Sequence, residues 1–129
     1  MPRDYQPRYD SLPHNVYMQI LYMIRDYDRM RAEYDTEVEE SPKPQDGMPR
    51  TGGQADPTAN KAIRLEDLGR RIRAVEAGIE VIPEEYRKSI WNNICYRIPY
   101  DTRYTSYRTF RYHRQKMIMT IAKRMGYWK

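Results

Sequence analysis

Apolar residues recur along this chain at alternating intervals of three and four, and this spacing constrains the fold more than any other feature. An α-helix has 3.6 residues per turn, so residues spaced in this way line one side of a helix and must pack against a partner. The pattern runs through two long segments, Val16 to Tyr34 and Leu65 to Ile82. No segment alternates apolar and polar residues as a β-strand would. The sequence therefore predicts an all-α protein.

The first two of about four predicted helices have recognisable limits. The first extends from about Asn15 to about Glu37. Asp56 can cap the exposed N–H groups of the second, and Pro57 suits its first position because proline lacks the N–H that is left unpaired there. The residues between the two helices include prolines, glycines and acids, and their apolar residues do not recur at the spacing of a helix or a strand. The chain thus divides into an N-terminal arm and helix (1–37), a flexible linker (38–56) and a helical domain (57–129).

The last two predicted helices are shorter and follow closely. Pro83 ends the second helix and begins the third, and Pro99 ends the third. Thr105 or Ser106 caps the fourth helix, and Gly126 follows it where a left-handed residue commonly ends a helix. These two helices complete the predicted helical domain.

The second helix carries a narrow apolar seam, which is typical of a coiled coil or of a closely packed helix pair. A homodimer would use this seam between chains, and a monomer would use it within its own core. The two uses predict the same sequence pattern. The residues of the proposed dimer seam are Leu65, Leu68, Ile72, Val75 and Ile79.

The sequence contains few candidate catalytic or metal-binding residues. Cys95 is the single cysteine, and a fold without disulfides fits a reducing cytosol. His14 and His113 are too far apart for the usual spacing of metal ligands. No phosphate-binding loop or signal peptide is recognisable, and no apolar run approaches the length of a membrane span. We therefore expect a non-enzymatic cytoplasmic protein that needs no metal or other cofactor and does not enter the membrane.

Charge is unevenly distributed along the chain, whose formal net charge is +5. Residues 1–56 contain 7 basic and 11 acidic side chains, whereas residues 57–129 contain 16 basic and 7 acidic side chains. A basic C-terminal half favours a polyanionic partner such as nucleic acid. A solvated basic surface without a partner would show the same composition.

The fourth helix combines these basic residues with an apolar side. Phe110, Met117, Ile121 and Met125 share the apolar side, which we expect to pack on the third helix. Arginine and glutamine side chains can contact phosphates and base edges, and hydroxyls beside a helix N-terminus suit a phosphate oxygen. The predicted DNA-binding residues are Arg103, Thr105, Ser106, Arg108, Thr109, Arg111, Tyr112, Arg114 and Gln115.

Tyrosines surround this basic helix. A tyrosine ring can stack on a base, but it is also common at the edge of a core, where its ring is buried and its hydroxyl is hydrated. We expect this edge role for Tyr96 and Tyr107. Tyr104 and Tyr112 fit either role.

The C-terminal half contains two motifs, IPEEYRKSIWNNI (82–94) and TSYRTFRYHRQKMIMTIAKRMG (105–126). They resemble the C-terminal region of small phage regulators of the RinA and ArpU kind, which is itself similar to the promoter-reading domain of sigma factors, and the stretch at 52–68 also looks like these proteins. The resemblance implies that the third and fourth helices form a degenerate pair of the helix-turn-helix type. The residues that match the pattern of the recognition helix are Ser106, Thr109, Phe110, Arg114, Ala122, Met125 and Gly126.

The resemblance implies a phage or prophage transcription regulator that binds double-stranded DNA in the cytoplasm of a bacterial host. RNA polymerase is then a candidate protein partner. One departure is that little space separates Cys95 from Thr105 for a supporting helix, so either the third helix serves as that support or the motif has decayed. The alternative function is a helical assembly protein, such as a phage packaging or scaffolding component, that interacts through its coiled-coil-like seams.

Overall fold

The computed structural model describes residues 12–40, 57–101, 103 and 105–129. In this part of the chain there are five α-helices and no β-strand, which confirms the predicted all-α class. The predicted arm up to residue 11 and residues 41–56 of the predicted linker (38–56) lie outside the described residues. Val38 and Glu39, which we expected to begin the linker, instead belong to a helix that ends at Glu39. The helices are α1 (His14–Arg25), α2 (Tyr27–Glu39), α3 (Pro57–Glu80), α4 (Glu84–Tyr96) and α5 (Tyr107–Arg124).

The first predicted helix is in fact two helices, so the described count is five rather than about four. Asp26 separates them with φ −93° and ψ 2°, although its N–H still donates to the Tyr22 carbonyl at 2.9 Å. The residues on either side of Asp26 are held by different helices. Arg25 Nε donates to the Ile94 carbonyl of α4 at 2.8 Å, and the Tyr27 hydroxyl donates to Glu76 of α3 at 2.6 Å. Because of these tertiary contacts the helix breaks at Asp26, although the spacing of apolar residues continues past it.

Capping chemistry sets both ends of α5 as the sequence predicts. Ser106 Oγ accepts a hydrogen bond from the Thr109 N–H at 3.2 Å, as an N-cap side chain does. At the other end Gly126 has φ 75°, and its N–H donates to the Lys123 carbonyl at 3.1 Å. The Tyr127 N–H donates to the Ala122 carbonyl at 2.9 Å, which completes a Schellman motif.

The seam of α3 is used within the monomer. Leu68, Ile72 and Val75 are at most 8% exposed, because α3 packs against α2 on one side and α5 on another. Leu65 and Ile79 are half-buried at either end of this contact. The seam that we considered for a homodimer is therefore covered by the chain's own helices.

A glycine allows α3 and α5 to approach closely. A Cβ atom placed on Gly78 would lie 2.7 Å from Ile121 Cγ1 and 3.1 Å from Met117 Cγ, both on α5. The main partner of α5 is α3, and α1 is its second partner. Helix α5 also packs on the third predicted helix (α4), as we expected. Helix α5 thus lies in the bundle with several sides covered.

Helices α2 and α3 run antiparallel and extend beyond this core as a hairpin. We call residues 31–40 of α2 and 57–67 of α3 the distal hairpin. None of these residues is buried. Arg64 Nη2 lies 2.8 Å from Glu37 Oε1 and links its two helices. The distal hairpin therefore depends on ion pairs and partly covered side chains rather than on a core.

Candidate nucleic-acid interface

The solvent side of α5 carries a basic stripe. Arg108, Tyr112 and Lys116 follow one another at intervals of four, so they lie one above the other on the helix surface, and all three are exposed. Lys116 Nζ lies 5.7 Å from the centre of the Tyr112 ring, close enough for a cation–π interaction. We call these three residues together with Lys123 the outer face of α5. It combines positive charge with an exposed aromatic ring, as phosphate and base contacts require.

A stacked pair of rings fixes the outer face relative to α4. The His113 ring stacks on Tyr86 of α4 with the ring centres 4.8 Å apart, and its edge meets Tyr112 at 5.2 Å. Burial lowers the pKa of His113, and Lys116 lowers it further, while Glu85 acts in the opposite direction. The lowered pKa favours the neutral imidazole, whose ring packs between Tyr86 and Tyr112.

Hydroxyl groups cluster at the N-terminus of α5. Ser106 Oγ donates to Thr109 Oγ1 at 3.0 Å while accepting from the Thr109 N–H. Ser106 is exposed, whereas Thr105 and Thr109 are half-buried. The predicted hydroxyls are thus together at a helix N-terminus, where backbone N–H groups favour an anion.

Arg103 lies in the connection before α5 and forms an exposed ion pair. Its Nη2 is 2.9 Å from Asp101 Oδ2, and its Nε is 3.1 Å from Asp101 Oδ1. These bonds hold the pKa of Asp101 below its usual value. An ion pair in contact with water contributes little stability. The guanidinium can therefore exchange its carboxylate for a phosphate at small cost.

Of the predicted DNA-binding residues, Gln115 is buried and the half-buried Arg114 is engaged between helices. Gln115 is 5% exposed. Arg114 Nη1 donates to the Tyr17 hydroxyl of α1 at 2.7 Å, and its Nε donates to Asn93 Oδ1 of α4 at 3.0 Å. Arg114 therefore joins three helices, and neither residue is placed to reach DNA. The arginine matches the pattern of phage regulators, but here its contacts are structural.

Arg111 also differs from the expectation. The sequence predicts that it binds DNA together with Arg108, and a spacing of three residues would put both on one side of α5. Arg108 is exposed, but Arg111 is half-buried, and its Nε and Nη2 atoms are shielded from solvent. The two arginines therefore lie at different depths. The cause is that α1, α3 and α4 all contact α5, so the covered part of the helix is wider than the apolar residues alone indicate.

Exposed tyrosines beside the interface are more numerous than predicted. Tyr96 is 63% exposed and Tyr107 is 53% exposed, so the expected burial of their rings is wrong. Tyr107 directly precedes Arg108, and its ring centre lies 5.5 Å from that of Tyr100, which itself stacks on Phe110 at 4.9 Å. The period of α5 identifies Lys116 as a member of the outer face, although it was not among the predicted residues.

The connection between α4 and α5 is longer than a helix-turn-helix turn. It comprises residues 97–106, whereas the turn of that motif has about three or four residues. Arg97 begins the connection in a left-handed conformation with φ 57°, and the Asn93 side chain donates to the Ile98 carbonyl at 3.0 Å. Helix α4 packs on α5, but the two are not joined by the compact turn that would fix a recognition helix.

Other kinds of site are not evident among the described residues. No group of three or more His, Cys, Asp or Glu side chains in this part of the chain could hold a metal ion. None of the five described helices is long and apolar enough to cross a bilayer. Comparison with known proteins gives no match to a protein-family model, to a curated protein or to a solved structure.

Proposed function

We propose that this protein is a DNA-binding transcription regulator of a phage or prophage, and that it binds duplex DNA through the outer face of α5. The observation that carries the proposal is the charge of this helix. From Tyr107 to Arg124 it contains six basic residues and no acidic residue. The basic side chains on the outer face project into solvent, where they can neutralise phosphates and release bound counterions.

The exposed residues of the interface have different roles in this proposal. Arg108 and Tyr112 lie on the first turns of α5 and are the candidates for contacts to base edges. Arg103, Ser106 and Thr109 surround the helix N-terminus and hold phosphate oxygens. Lys116 and Lys123 extend the positive stripe along the DNA backbone. RNA polymerase is the candidate protein partner of such a regulator in the bacterial cytoplasm.

A titration of DNA binding against salt tests the phosphate contacts. Duplex fragments of the parent genome are mixed with the protein, and the binding affinity is measured by fluorescence anisotropy at several salt concentrations. Neutralising Z phosphates makes log affinity fall against log salt with a slope of about −0.9Z. We expect Arg103→Ala to flatten this slope by about one unit for every sequence. A wild-type affinity that does not change with salt would reject the proposal.

To test whether Arg108 recognises the base sequence, binding is measured with cognate and with scrambled duplexes. Arg108→Ala should reduce the discrimination between them by about 1–3 kcal/mol, the contribution of a bidentate contact to guanine. Arg70→Ala is the matched control, because it removes the same charge from an exposed position on α3. Equal loss of affinity for both duplexes with Arg108→Ala would instead indicate a basic surface without sequence preference.

A further inference from the structure

An apolar cavity with a basic rim lies at the opposite end of α3 from the distal hairpin. Its volume is about 210 Å³. The floor is formed by Ile82 and Met117, which are at most 2% exposed, and Ile79 and Trp91 form its walls. The proposed DNA-binding residues take no part in it. We call this cavity the socket.

The walls and rim of the socket are held in position. The Trp91 ring meets Tyr27 edge to face, with the centres 5.5 Å apart. Arg87 Nε donates to the Ile82 carbonyl at 2.9 Å, and this bond fixes the guanidinium at the rim. Lys88 supplies a second, exposed cation beside it. A preformed apolar cavity with two cations at its rim fits an aliphatic side chain that is flanked by carboxylates.

The chain carries an element of this description at the end of the distal hairpin. Val38 is 48% exposed and stands between Glu37 and two further acids, Glu39 and Glu40. Ile63 on the adjoining helix is 66% exposed. Seven acidic and three basic residues make up the charge of the distal hairpin, so its sign is opposite to that of the socket rim. We call residues 37–40 the plug.

Within one molecule the plug cannot reach the socket. The plug lies beside Arg64 near the start of α3, and Ile79 of the socket lies near its end. An α-helix rises 1.5 Å per residue, so about 22 Å of rigid helix separates the two. Contact between them therefore requires two molecules.

We propose that the plug of one molecule binds the socket of a second copy, with Val38 in the cavity and the exposed Glu39 and Glu40 against Arg87 and Lys88. The contact joins different surfaces of the two copies and is head-to-tail. Such a contact continues into a ring or a chain of molecules unless one end is blocked. It is small, so the association is weak, and because it uses opposite charges it weakens as salt rises.

Two variants that block opposite ends test this arrangement. Val38→Asp places a charge in the plug and leaves the socket intact, and Lys88→Glu cancels the net positive charge of the rim and leaves the plug intact. Both positions are exposed, so the fold should persist, which circular dichroism checks. The molar mass in solution is measured by sedimentation equilibrium over a concentration series at low salt.

The wild-type protein should give a mass that rises beyond the dimer with concentration, and each variant alone should be a monomer. An equal mixture of the two variants retains one intact plug and one intact socket. It should therefore give a dimer with twice the monomer mass and nothing larger. Lys116→Glu, which makes the same charge change on α5, should associate like the wild type.

Several results would overturn the proposal. A wild-type protein that stays monomeric at its highest soluble concentration has no such contact. Self-association that survives Lys88→Glu but not Val38→Asp would mean that hairpins pair with each other symmetrically. A mixture of the two variants that remains monomeric would show that plug and socket do not bind. Loss of association in Lys116→Glu would mean that association depends on the net charge of the chain and not on the plug and the socket.

Discussion

The distal hairpin and the core bundle meet along α3, yet they are stabilised by different forces. We use core bundle for α1, α4, α5 and α3 from Leu68 to Glu80. The core bundle buries side chains from all four of these segments in one cluster, including Tyr17, Ile72, Ile94 and Ile118. The distal hairpin buries none, and the Arg64–Glu37 ion pair connects its helices. Apolar burial contributes far more free energy than exposed ion pairs do, so the two regions should respond very differently to mutation.

The two regions also differ in charge, which the overall value of +5 conceals. The distal hairpin is acidic, whereas the outer face of α5, at the edge of the core bundle, is basic. Opposite charges at separate places allow two kinds of partner, a polyanion at α5 and a basic surface at the hairpin. The contrast between the regions therefore concerns both stability and binding.

The largest expected effect is that of Phe110→Ala in the core bundle. Phe110 is 3% exposed and stacks on Tyr100, so its removal leaves a cavity. We expect a loss of about 3–5 kcal/mol in the free energy of unfolding, measured by urea denaturation. Arg108→Ala, two residues away on the outer face, should change stability by less than about 0.5 kcal/mol. Similar losses for both variants would mean that the sides of α5 are assigned wrongly.

Gly78→Ala tests the close approach of α3 and α5. Alanine favours a helix over glycine by about 0.5–1 kcal/mol, but here its Cβ would lie 2.7 Å from a fully buried Ile121. Overpacking a tight core costs about 1–3 kcal/mol, so we expect a net loss of about 1–2 kcal/mol. A rise in the melting temperature would show that α5 moves away from α3 without cost.

Gly69→Ala makes the same substitution nine residues earlier, where α3 faces the hairpin. Its Cβ would lie 3.0 Å from Arg73 Nη1 and 3.3 Å from Tyr34 Cε2. The nearer atom is the end of a flexible side chain, which can move aside. We therefore expect the helix preference to dominate and the protein to gain about 0.5–1 kcal/mol. If both glycine variants lose stability equally, α3 packs against Tyr34 of the distal hairpin as tightly as it packs against α5.

The smallest effect is expected within the distal hairpin. Arg64→Ala removes an ion pair in which the Arg64 side chain is 56% exposed and the Glu37 side chain is 18% exposed. Such pairs contribute about 0–1 kcal/mol, and salt screens them. The difference in stability from the wild type should therefore diminish at high salt. A loss comparable to that of Phe110→Ala would mean that the hairpin is an integral part of the core.

The sequence predicts the helices well because their signals are local. Ser106, Gly126 and Pro57 occupy the capping or terminal positions that their side chains favour. The break at Asp26 has no such local signal. It depends on contacts from the neighbouring residues to α3 and α4, which are distant in sequence.

The candidate site is less predictable than the helices for a related reason. A period of 3.6 identifies one apolar side of α5, but it does not reveal that three other helices contact this helix. Gln115 and Arg114 consequently look like surface residues in the sequence, although one is buried and the other bonds to Tyr17 and Asn93. The spacing of polar residues in a sequence does not distinguish those that form hydrogen bonds between helices from those that face the solvent.

The central functional claim is that the location of positive charge on α5, rather than the net charge of the chain, determines DNA binding. Two charge reversals of equal size test it most directly, Lys116→Glu on the outer face and Arg70→Glu on the exposed side of α3. Both variants are titrated with the same duplex at the same low salt concentration. We predict that Lys116→Glu lowers the affinity about tenfold or more, and that Arg70→Glu changes it less than about twofold. Equal losses in the two variants, or no loss in either, would contradict the claim.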